Sequence, residues 1–296
     1  MGNILTKQFY RQRKDFEDSC AGRDAGLTFP EGVRCSTDIA YADDGIKAHL
    51  LDIYRPEDSQ EKILPVIINV HGGGLIIGNK EFNRYFCALL CKKGFLVYSI
   101  EYRLIPDCLI YDQIADVFMA MDYIKERLAA DGGDSSHVYM AGDSGGACLI
   151  TYANAIQNNT NIARAANVTP SGLRINALGL ISGMFYTSRF DKIGLFLPKY
   201  LYGRDYKKTS FAKYVNPENR ELLNSLAPVW LVTSHNDFLR RYTTDFEKAL
   251  TRAEREHELV IFPKNKKLTH AFSVFEPFMP ESGAVIDMMV EYLRKF

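Results

Sequence analysis

Apolar runs of strand length alternate with segments of helical period from about residue 50 to the end of the chain. Ile67, Ile68 and Val70 form the first buried run, and the apolar positions of 82–90 then recur at the spacing of one helix face. Further strands are predicted at 95–100, 138–141, 177–181, 229–233 and 259–262. Strands and helices that alternate at this spacing predict an α/β fold, with a mostly parallel central sheet and helices on both faces.

Two segments stand outside this alternation. Residues 1 to about 30 form a charged, weakly amphipathic stretch, and residues 185–214 carry nine aromatic side chains in 30 positions. An aromatic-rich insertion at the carboxyl end of a sheet is typical of a lid over a pocket. A satellite cluster that packs on itself explains the same composition equally well, so both interpretations stay open.

Composition excludes several classes of protein. The 36 Lys and Arg residues balance the 36 Asp and Glu residues, so long-range attraction to nucleic acid or to an anionic membrane is not expected. No apolar run approaches the roughly 20 residues that span a bilayer, and the N-terminus lacks the apolar core of a signal peptide. Six cysteines without a Cys-x-x-Cys pair fit free thiols. We therefore expect a cytoplasmic protein with neither a nucleic-acid nor a membrane partner.

The first candidate for chemistry is the string Gly142-Asp143-Ser144-Gly145-Gly146, which lies directly between a predicted strand and a predicted helix. A serine in this context occupies a strained turn that exposes its hydroxyl at the carboxyl edge of the sheet. Small neighbours on both sides let the strand and the helix approach closely. A glycine-rich turn with a capping serine is the structural alternative, and the string alone does not exclude it.

A second motif, His71-Gly72-Gly73-Gly74, follows the strand that ends at Val70. Attack of a serine on an acyl carbon produces an oxyanion, which needs backbone N–H donors directed at it. Consecutive glycines supply such donors without side chains in the way. The natural set is Gly73 and Gly74, together with the N–H of Gly145, the residue after the serine.

The same glycines allow a competing hypothesis. Gly72, Gly74 and Gly78 follow a strand, and Glu101 stands at the end of the next one, which resembles a dinucleotide-binding fingerprint. However, the helical period begins only near Phe82, so the glycines precede a loop. This hypothesis also leaves the serine motif unexplained, and we therefore expect no nucleotide.

A nucleophilic serine needs a base, and in this topology the chain order is serine, then an acid, then histidine. Only His235, His257 and His270 follow Ser144. His257 lies among charged residues that are typical of a solvated helix end. Asp237 follows one predicted strand and His270 follows the next, which gives the required order. His235 is more naturally a loop residue beside the site.

Residues from about 45 to 296 resemble the hormone-sensitive-lipase-like family of α/β-hydrolase esterases. The resemblance rests on the two glycine motifs and on three further strings, Glu101-Tyr102-Arg103-Leu104-Ile105-Pro106-Asp107, Asp237-Phe238-Leu239-Arg240 and His270-Ala271-Phe272. The stretch Leu51-Asp52-Ile53-Tyr54-Arg55-Pro56 also resembles the branch that deacylates carbohydrates and other small esters.

The resemblance implies Ser144 as nucleophile, Asp237 as acid and His270 as base, with no metal and no organic cofactor. It also implies a cap, so we predict an N-terminal cap segment with the first strand over 1–45 and a catalytic domain over 46–296 that holds a cap insertion at about 185–215. Two positions depart from the family pattern. The family usually has alanine where this chain has Gly145, and glycine where it has Ala271; neither change removes a functional atom.

These observations predict a serine carboxylesterase that hydrolyses short-chain, acetyl-like esters of small molecules through an acyl-enzyme. Cations and tyrosines of the 185–214 segment would make a closed, partly polar pocket, which suits acyl groups from acetyl to butyryl. We expect the substrate pocket to include Leu75, Met184, Phe185, Tyr186 and His235. The alternatives are a deacetylase of acetylated carbohydrates, a peptidase or amidase, and a catalytically weak hydrolase-fold protein that binds a ligand. A homodimer is compatible with the sequence.

Overall fold

The computed structural model describes residues 2–59 and 62–296. The strands are β1 Val33–Ala40, β2 Leu50–Pro56, β3 Leu64–Val70, β4 Leu96–Ile100, β5 Gly133–Asp143, β6 Ala177–Ile181, β7 Val229–Ser234 and β8 His257–Phe262. They form one 8-stranded sheet in the order β1-β2-β4-β3-β5-β6-β7-β8. β2 pairs antiparallel with β1 and β4, and the other neighbours pair parallel.

Helices flank this sheet and cover its carboxyl edge. They are α1 Gly2–Asp24, α2 Arg84–Lys92, α3 Ile110–Arg127, α4 Ser144–Asn158, α5 Thr160–Ala166, α6 Lys192–Phe196, α7 Pro198–Tyr202, α8 Arg220–Asn224, α9 Arg240–Arg252, α10 Phe272–Phe275 and α11 Pro280–Leu293. Short 3₁₀ turns occupy Glu57–Ser59, Lys80–Asn83, Tyr206–Lys208 and Ser210–Tyr214. Within the described ranges, no helix combines the length and the apolar character needed to cross a bilayer.

The α/β architecture predicted from the alternation of apolar runs is confirmed. β4, β6 and β7 are buried at every position, because helices cover both faces of the parallel sheet. β5 is longer than the predicted 138–141, since its polar start at Gly133 pairs with Leu64 of β3. The predicted helix of 82–90 begins as a 3₁₀ turn and continues as α2.

The chemistry-bearing motifs all follow parallel strands at their carboxyl ends. His71 follows β3, Ser144 follows β5, Asp237 lies after β7, and His270 lies after β8. Parallel strands present their carboxyl ends at one edge of the sheet, and in open α/β sheets ligands bind in the crevice outside that edge. The fold therefore directs four separate chain segments to one place.

The N-terminal helix α1 lies over this edge. The ring of Phe9 meets that of Tyr200, in the 185–214 segment, with a centroid distance of 5.2 Å. The Arg13 guanidinium donates to the carbonyl of Ile76 at 2.8 Å and to the carboxylate of Asp107 at 2.6 Å. α1 thus contacts both the insertion and the chain that follows the glycine motif. The division of the chain at residue 45 stays a prediction.

Candidate active site

Ser144 stands at the turn between β5 and α4 with a φ of 49°, in the left-handed region that a serine rarely adopts. The glycines around it explain how the turn is packed. A Cβ on Gly146 would lie 2.1 Å from the carbonyl oxygen of Val70, and one on Gly142 would lie 2.5 Å from the same atom. Only glycine permits this approach of the Ser144 turn to β3, so the backbone around Ser144 is held in a strained conformation by its neighbours.

The glycine motif after β3 is packed against the same turn. Gly73 and Gly74 have φ values of 100° and 62°, and Leu75 has one of 69°. A Cβ on Gly145 would lie 3.0 Å from the backbone nitrogen of Gly74 and 2.8 Å from that of Leu75. The backbone amides of this loop are therefore brought beside the residue after Ser144, where an oxyanion would form.

Asp143 joins the two motifs. Its Oδ1 atom accepts hydrogen bonds from the backbone N–H of Gly72 and from the side-chain amide of Asn83, both at 3.0 Å. Full burial raises the pKa of Asp143, although the Asn83 amide opposes that shift. The glycine loop is thus connected directly to the residue that precedes Ser144, and the two cannot move independently.

His270 and Asp237 form a buried pair at the ends of β8 and β7. The Nδ1 atom of His270 lies 2.7 Å from Oδ1 of Asp237, while Oδ2 accepts from the Thr233 hydroxyl at 2.8 Å. Burial by itself raises the pKa of Asp237, but the hydrogen bonds from His270 and the Leu239 N–H outweigh it, and the net pKa is lowered. The carboxylate therefore stays ionised, and its contact with Nδ1 orients the imidazole of His270.

A cavity of about 330 Å³ has Ser144, His270, Gly73 and Gly74 among its lining residues. Ser144 is 7 % exposed, so its hydroxyl opens into this cavity and hardly to bulk solvent. The rest of the lining is almost entirely apolar: Phe16, Ile76, Ile77, Phe82, Met184, Ile193, Leu197, Phe238, Leu239 and Phe275, with Asp143 at the base. The site thus combines a shielded hydroxyl, a histidine and an apolar binding volume.

Of the five residues expected in the substrate pocket, Met184 lines this cavity. Leu75 is fully buried behind the loop, where its carbonyl accepts from Ile105 N–H at 3.0 Å. Phe185 stacks on Phe246 at 4.2 Å, and the other two residues also lie outside the cavity lining. Tyr186 donates to Glu218 at 2.9 Å, and the exposed His235 accepts from Arg240 at 2.8 Å.

The polar groups of the 185–214 segment do not reach the cavity, in contrast to the expectation of a partly polar pocket. The hydroxyl of Tyr202 bonds that of Thr187 at 2.7 Å and that of Tyr152 on α4 at 3.1 Å. The guanidinium of Arg189 lies 3.4 Å above the ring of Tyr186. The Tyr202 and Thr187 hydroxyls are satisfied in the core and Arg189 pairs with Asp245, so the segment contributes only Ile193 and Leu197 to the described cavity lining.

Several site residues escaped the sequence analysis. Phe16 comes from α1, within the segment predicted as part of a cap, but nothing in the sequence indicated that this side chain would line the site. Phe238 immediately follows Asp237, is 74 % exposed, and holds its ring 4.4 Å from that of His270. The seven-residue spacing of Phe9 and Phe16 was the one available signal, because it places both rings on one face of a helix.

The sequence identified His71 only as part of the glycine motif. In the structure, its ring contacts the glycine loop and the strand end that carries Glu101. Nδ1 lies 2.8 Å from the carbonyl oxygen of Gly72, and Nε2 lies 2.9 Å from Oε1 of Glu101. Both partners are acceptors, so the ring satisfies both only as an imidazolium. Burial lowers the pKa of His71, but Glu101 and the Gly72 carbonyl outweigh burial and raise it overall.

Both carboxylate oxygens of Glu101 therefore have hydrogen-bond partners within the protein. Its second oxygen, Oε2, accepts from the backbone N–H of Lys80 at 2.8 Å, and the ring of Tyr102 stacks on that of His71 at 4.3 Å. The dinucleotide hypothesis would require this carboxylate to face a ribose. Across residues 2–59 and 62–296, no group of three or more His, Cys, Asp or Glu side chains has the geometry to hold a metal ion.

A mostly parallel sheet with a serine turn after β5, an acid after β7 and a histidine after β8 is the architecture of an α/β-hydrolase. A sequence profile described as the alpha/beta hydrolase fold matches residues 67–273, and the chain belongs to this family. The fold class and the family resemblance predicted from the motifs are confirmed.

Curated relatives and solved structures agree with this assignment. The chain is 29% identical over 184 residues to a probable isoprenylcysteine alpha-carbonyl methylesterase of Oryza sativa subsp. japonica, covering 58% of this chain and 44% of that protein. It is 33% identical over 120 residues to esterase LipQ of Mycobacterium tuberculosis, covering 40% of this chain and 28% of the relative. The alignments thus span less than half the length of these relatives.

The solved structures match over almost the whole chain. Esterase B from Lactobacillus Rhamnosis superposes with a TM-score of 0.92, at 22% sequence identity, over 99% of this chain and 95% of that one. A bacterial heroin esterase superposes with a TM-score of 0.74, at 22% identity, over 98% of this chain and 92% of that one. At this level of identity the similarity concerns the fold.

Proposed function

We propose that this protein is a serine carboxylesterase that hydrolyses small esters through an acyl-enzyme. The observation that carries the proposal is that Ser144 and His270 line one apolar cavity, with His270 oriented by the buried Asp237 at 2.7 Å. A hydroxyl, a base and an ionised orienting acid in this order are the parts that nucleophilic catalysis requires.

In the proposed reaction, the Ser144 hydroxyl attacks the ester carbonyl while Nε2 of His270 takes its proton. The negative charge that develops on the carbonyl oxygen is stabilised by backbone N–H groups of Gly73, Gly74 and Gly145. His270 then returns the proton to the departing alkoxide, which leaves as an alcohol. Water deprotonated by the same histidine attacks the acyl-enzyme, the bond from the acyl carbon to Ser144 Oγ breaks, and His270 returns the proton to Oγ as the carboxylic acid is released.

The cavity favours substrates of limited size. Its volume of about 330 Å³ lies near the lower end of the roughly 300–1,000 Å³ that small-molecule sites occupy. Its apolar walls suit an acyl chain better than a sugar. Because its volume is small, although its walls are not partly polar as expected, we infer short acyl groups such as acetyl to butyryl. Among the described residues that line this cavity there is no tyrosine to stack on a sugar and bond its hydroxyls, which disfavours the carbohydrate deacetylase alternative.

Two named relatives give chemical points of comparison. The inhibited form of esterase B from Lactobacillus Rhamnosis holds a tributyrin phosphonate, an analogue of a short-chain ester. The plant relative is named for the methyl ester of an isoprenylcysteine, whose long apolar chain would need more room than this cavity offers. The short-chain ester is therefore the preferred substrate class.

The test is hydrolysis of p-nitrophenyl esters from acetyl to dodecanoyl by the purified chain, with S-farnesylcysteine methyl ester and acetylated xylose measured beside them. We expect the highest kcat/KM at two to four acyl carbons. A fluorophosphonate probe should label the protein at Ser144. A chain that neither turns over any ester nor reacts with the probe would be a ligand-binding member of the fold, and the proposal would be wrong.

A further inference from the structure

Phe238 is an apolar residue that is exposed and yet lies against the proposed base. Its side chain is 74 % exposed, it lines the cavity around Ser144, and it directly follows Asp237 in the loop after β7. Its ring centre lies 4.4 Å from that of His270, with an angle of 44° between the two planes. The imidazole thus has an aromatic ring on one side and a carboxylate at Nδ1.

The backbone on both sides of Phe238 is fixed by hydrogen bonds to Asp237. The N–H of Leu239 donates to Oδ1 of Asp237 at 2.8 Å, and the N–H of Arg240 donates to the Asp237 carbonyl at 3.1 Å. The same Oδ1 atom lies 2.7 Å from Nδ1 of His270. The turn that orients the imidazole therefore also places the ring of Phe238 against it.

The distance between the two rings indicates that a ring face takes part in the contact. Aromatic pairs prefer centre separations of roughly 4.5–7 Å, and rings that touch only at their rims cannot come as close as the lower end of that range. At 4.4 Å, one ring lies partly over the other. A positive charge within about 6 Å of a phenylalanine ring centre is attracted by the electron-rich face of the ring.

We propose that Phe238 is a positioning residue whose ring face stabilises the protonated form of His270, an inference that rests on the esterase activity proposed above. When the Ser144 hydroxyl attacks the ester, its proton moves to the imidazole, which stays positively charged until the alcohol departs. The ring face lowers the free energy of this charged form, whereas the neutral imidazole gains less from it.

Other charged groups near the imidazole remain in place when Phe238 is replaced. The Asp237 carboxylate contacts Nδ1 from the end of β7. Burial raises the pKa of Asp143, and the Asn83 amide and the charge of His270 oppose that shift. A change in the pH dependence of catalysis that follows replacement of Phe238 is therefore assigned to its ring.

Two replacements separate the aromatic face from the apolar cover. Phe238→Leu keeps an apolar side chain beside His270 but removes the face, and Phe238→Tyr keeps the face. A cation–aromatic attraction at an exposed site predicts that Phe238→Leu lowers kcat for a butyryl ester about two- to fivefold and moves the acidic midpoint of the kcat/KM profile down by about half a pH unit. Phe238→Tyr should retain both values.

Phe275→Leu is the matched control. Phe275 also lines the cavity, but its ring meets that of Phe82 at 4.7 Å. Its replacement alters the shape of the binding volume, so KM should change. The acidic midpoint should stay where it is in the unmodified protein, because this replacement leaves the contact between Phe238 and His270 intact.

The experiment measures kcat and kcat/KM for p-nitrophenyl butyrate between about pH 5 and pH 9 in the unmodified protein and in the three variants, since the acidic limb of kcat/KM reports the base of the free enzyme. Circular dichroism checks that each variant is folded. The exposure of Phe238 favours folded variants, because its side chain buries little surface.

The outcomes separate the two proposals. If the unmodified protein hydrolyses no ester, the proposed function fails and this inference fails with it. If it hydrolyses the ester but Phe238→Leu keeps both kcat and the midpoint, the role of Phe238 fails while the function stands. A midpoint that moves to higher pH, or an equal shift in Phe238→Tyr or Phe275→Leu, would also overturn that role.

Discussion

Gly145 lies so close to Leu75 that a Cβ added to it would stand 2.8 Å from the Leu75 backbone nitrogen, and 3.0 Å from that of Gly74. Both contacts involve backbone atoms, which cannot rotate away as a side chain can. The absence of a side chain at Gly145 thus allows the glycine loop to approach the nucleophile turn more closely than an alanine would.

Gly145→Ala should lower activity, although alanine is the residue that the resembled esterase family usually carries at this position. The added methyl displaces the loop amides from the developing oxyanion, and donors of this kind contribute roughly 10²–10³ in kcat each. We expect kcat to fall at least tenfold, with KM for a butyryl ester changed less than threefold. If the alanine variant were as active as the unmodified protein, the glycine loop would have moved away while its backbone N–H groups still reached the oxyanion.

Ser144→Ala tests the nucleophile. Loss of one hydroxyl at a turn that is held by its glycine neighbours should leave the melting temperature within a few degrees of the unmodified value. Removal of a nucleophile that acts with a histidine typically costs about 10⁴-fold or more in kcat. More than about a hundredth of the original rate, measured with an acetyl or butyryl ester, would contradict the assignment.

The choice of base is tested by two histidine variants. His270→Ala should match the loss in Ser144→Ala, and the double variant should lose no more, because the two groups act as one unit. His235 is exposed and bonds Arg240, so His235→Ala serves as the control and should keep most of the activity. If His235→Ala lost more activity than His270→Ala, His235 would be assigned as the base.

The His71–Glu101 pair predicts a pH dependence of stability. The folded pKa of His71 is raised above the unfolded value near 6.5, so the stabilisation is complete below that value and is lost as pH rises through the folded pKa. Glu101→Gln, which removes the carboxylate from the buried ring, should cost on the order of 3 kcal/mol at about pH 6.

The measurement is thermal unfolding of the unmodified protein and of Glu101→Gln between about pH 6 and pH 9. The gap in melting temperature should be largest at the acidic end and shrink with rising pH, since the neutral imidazole gains less from a carboxylate. Nitrogen-15 NMR of the His71 ring at about pH 6, below the unfolded pKa, should show a proton on both nitrogens. A gap independent of pH would contradict the charged form.

The strand ends could be predicted from the sequence because local patterns and topology agree there. Apolar runs identified β3, β5, β7 and β8, although β8 is a partly exposed edge strand, and parallel pairing places their carboxyl ends at one edge. From the sequence alone, that rule predicts that Ser144, Asp237 and His270 lie in the same region. The pairing of His270 with Asp237 at 2.7 Å is consistent with it.

The lining of the cavity could not be predicted in this way, because it depends on tertiary packing. Tyr202 lies in the core because its hydroxyl has hydrogen-bond partners there, Thr187 and Tyr152. The sequence does not show whether such a side chain faces the core or a pocket. Likewise, Phe16 reaches Phe82 only after α1 has docked over the sheet edge. Periodicity marks a face of an element, but it does not say which other element that face will meet.

The residues that line the cavity come from the strand ends and from two segments outside the sheet, and directed evolution can use this separation. The proposed catalytic groups follow strand ends, whereas part of the cavity lining comes from α1, at Phe16, and from the insertion, at Ile193 and Leu197. These three positions lie outside the sheet that holds the catalytic groups. Random libraries restricted to these three positions therefore change which esters the protein accepts, while the proposed catalytic residues stay unchanged. Substrate range and catalytic rate can then be selected in separate rounds.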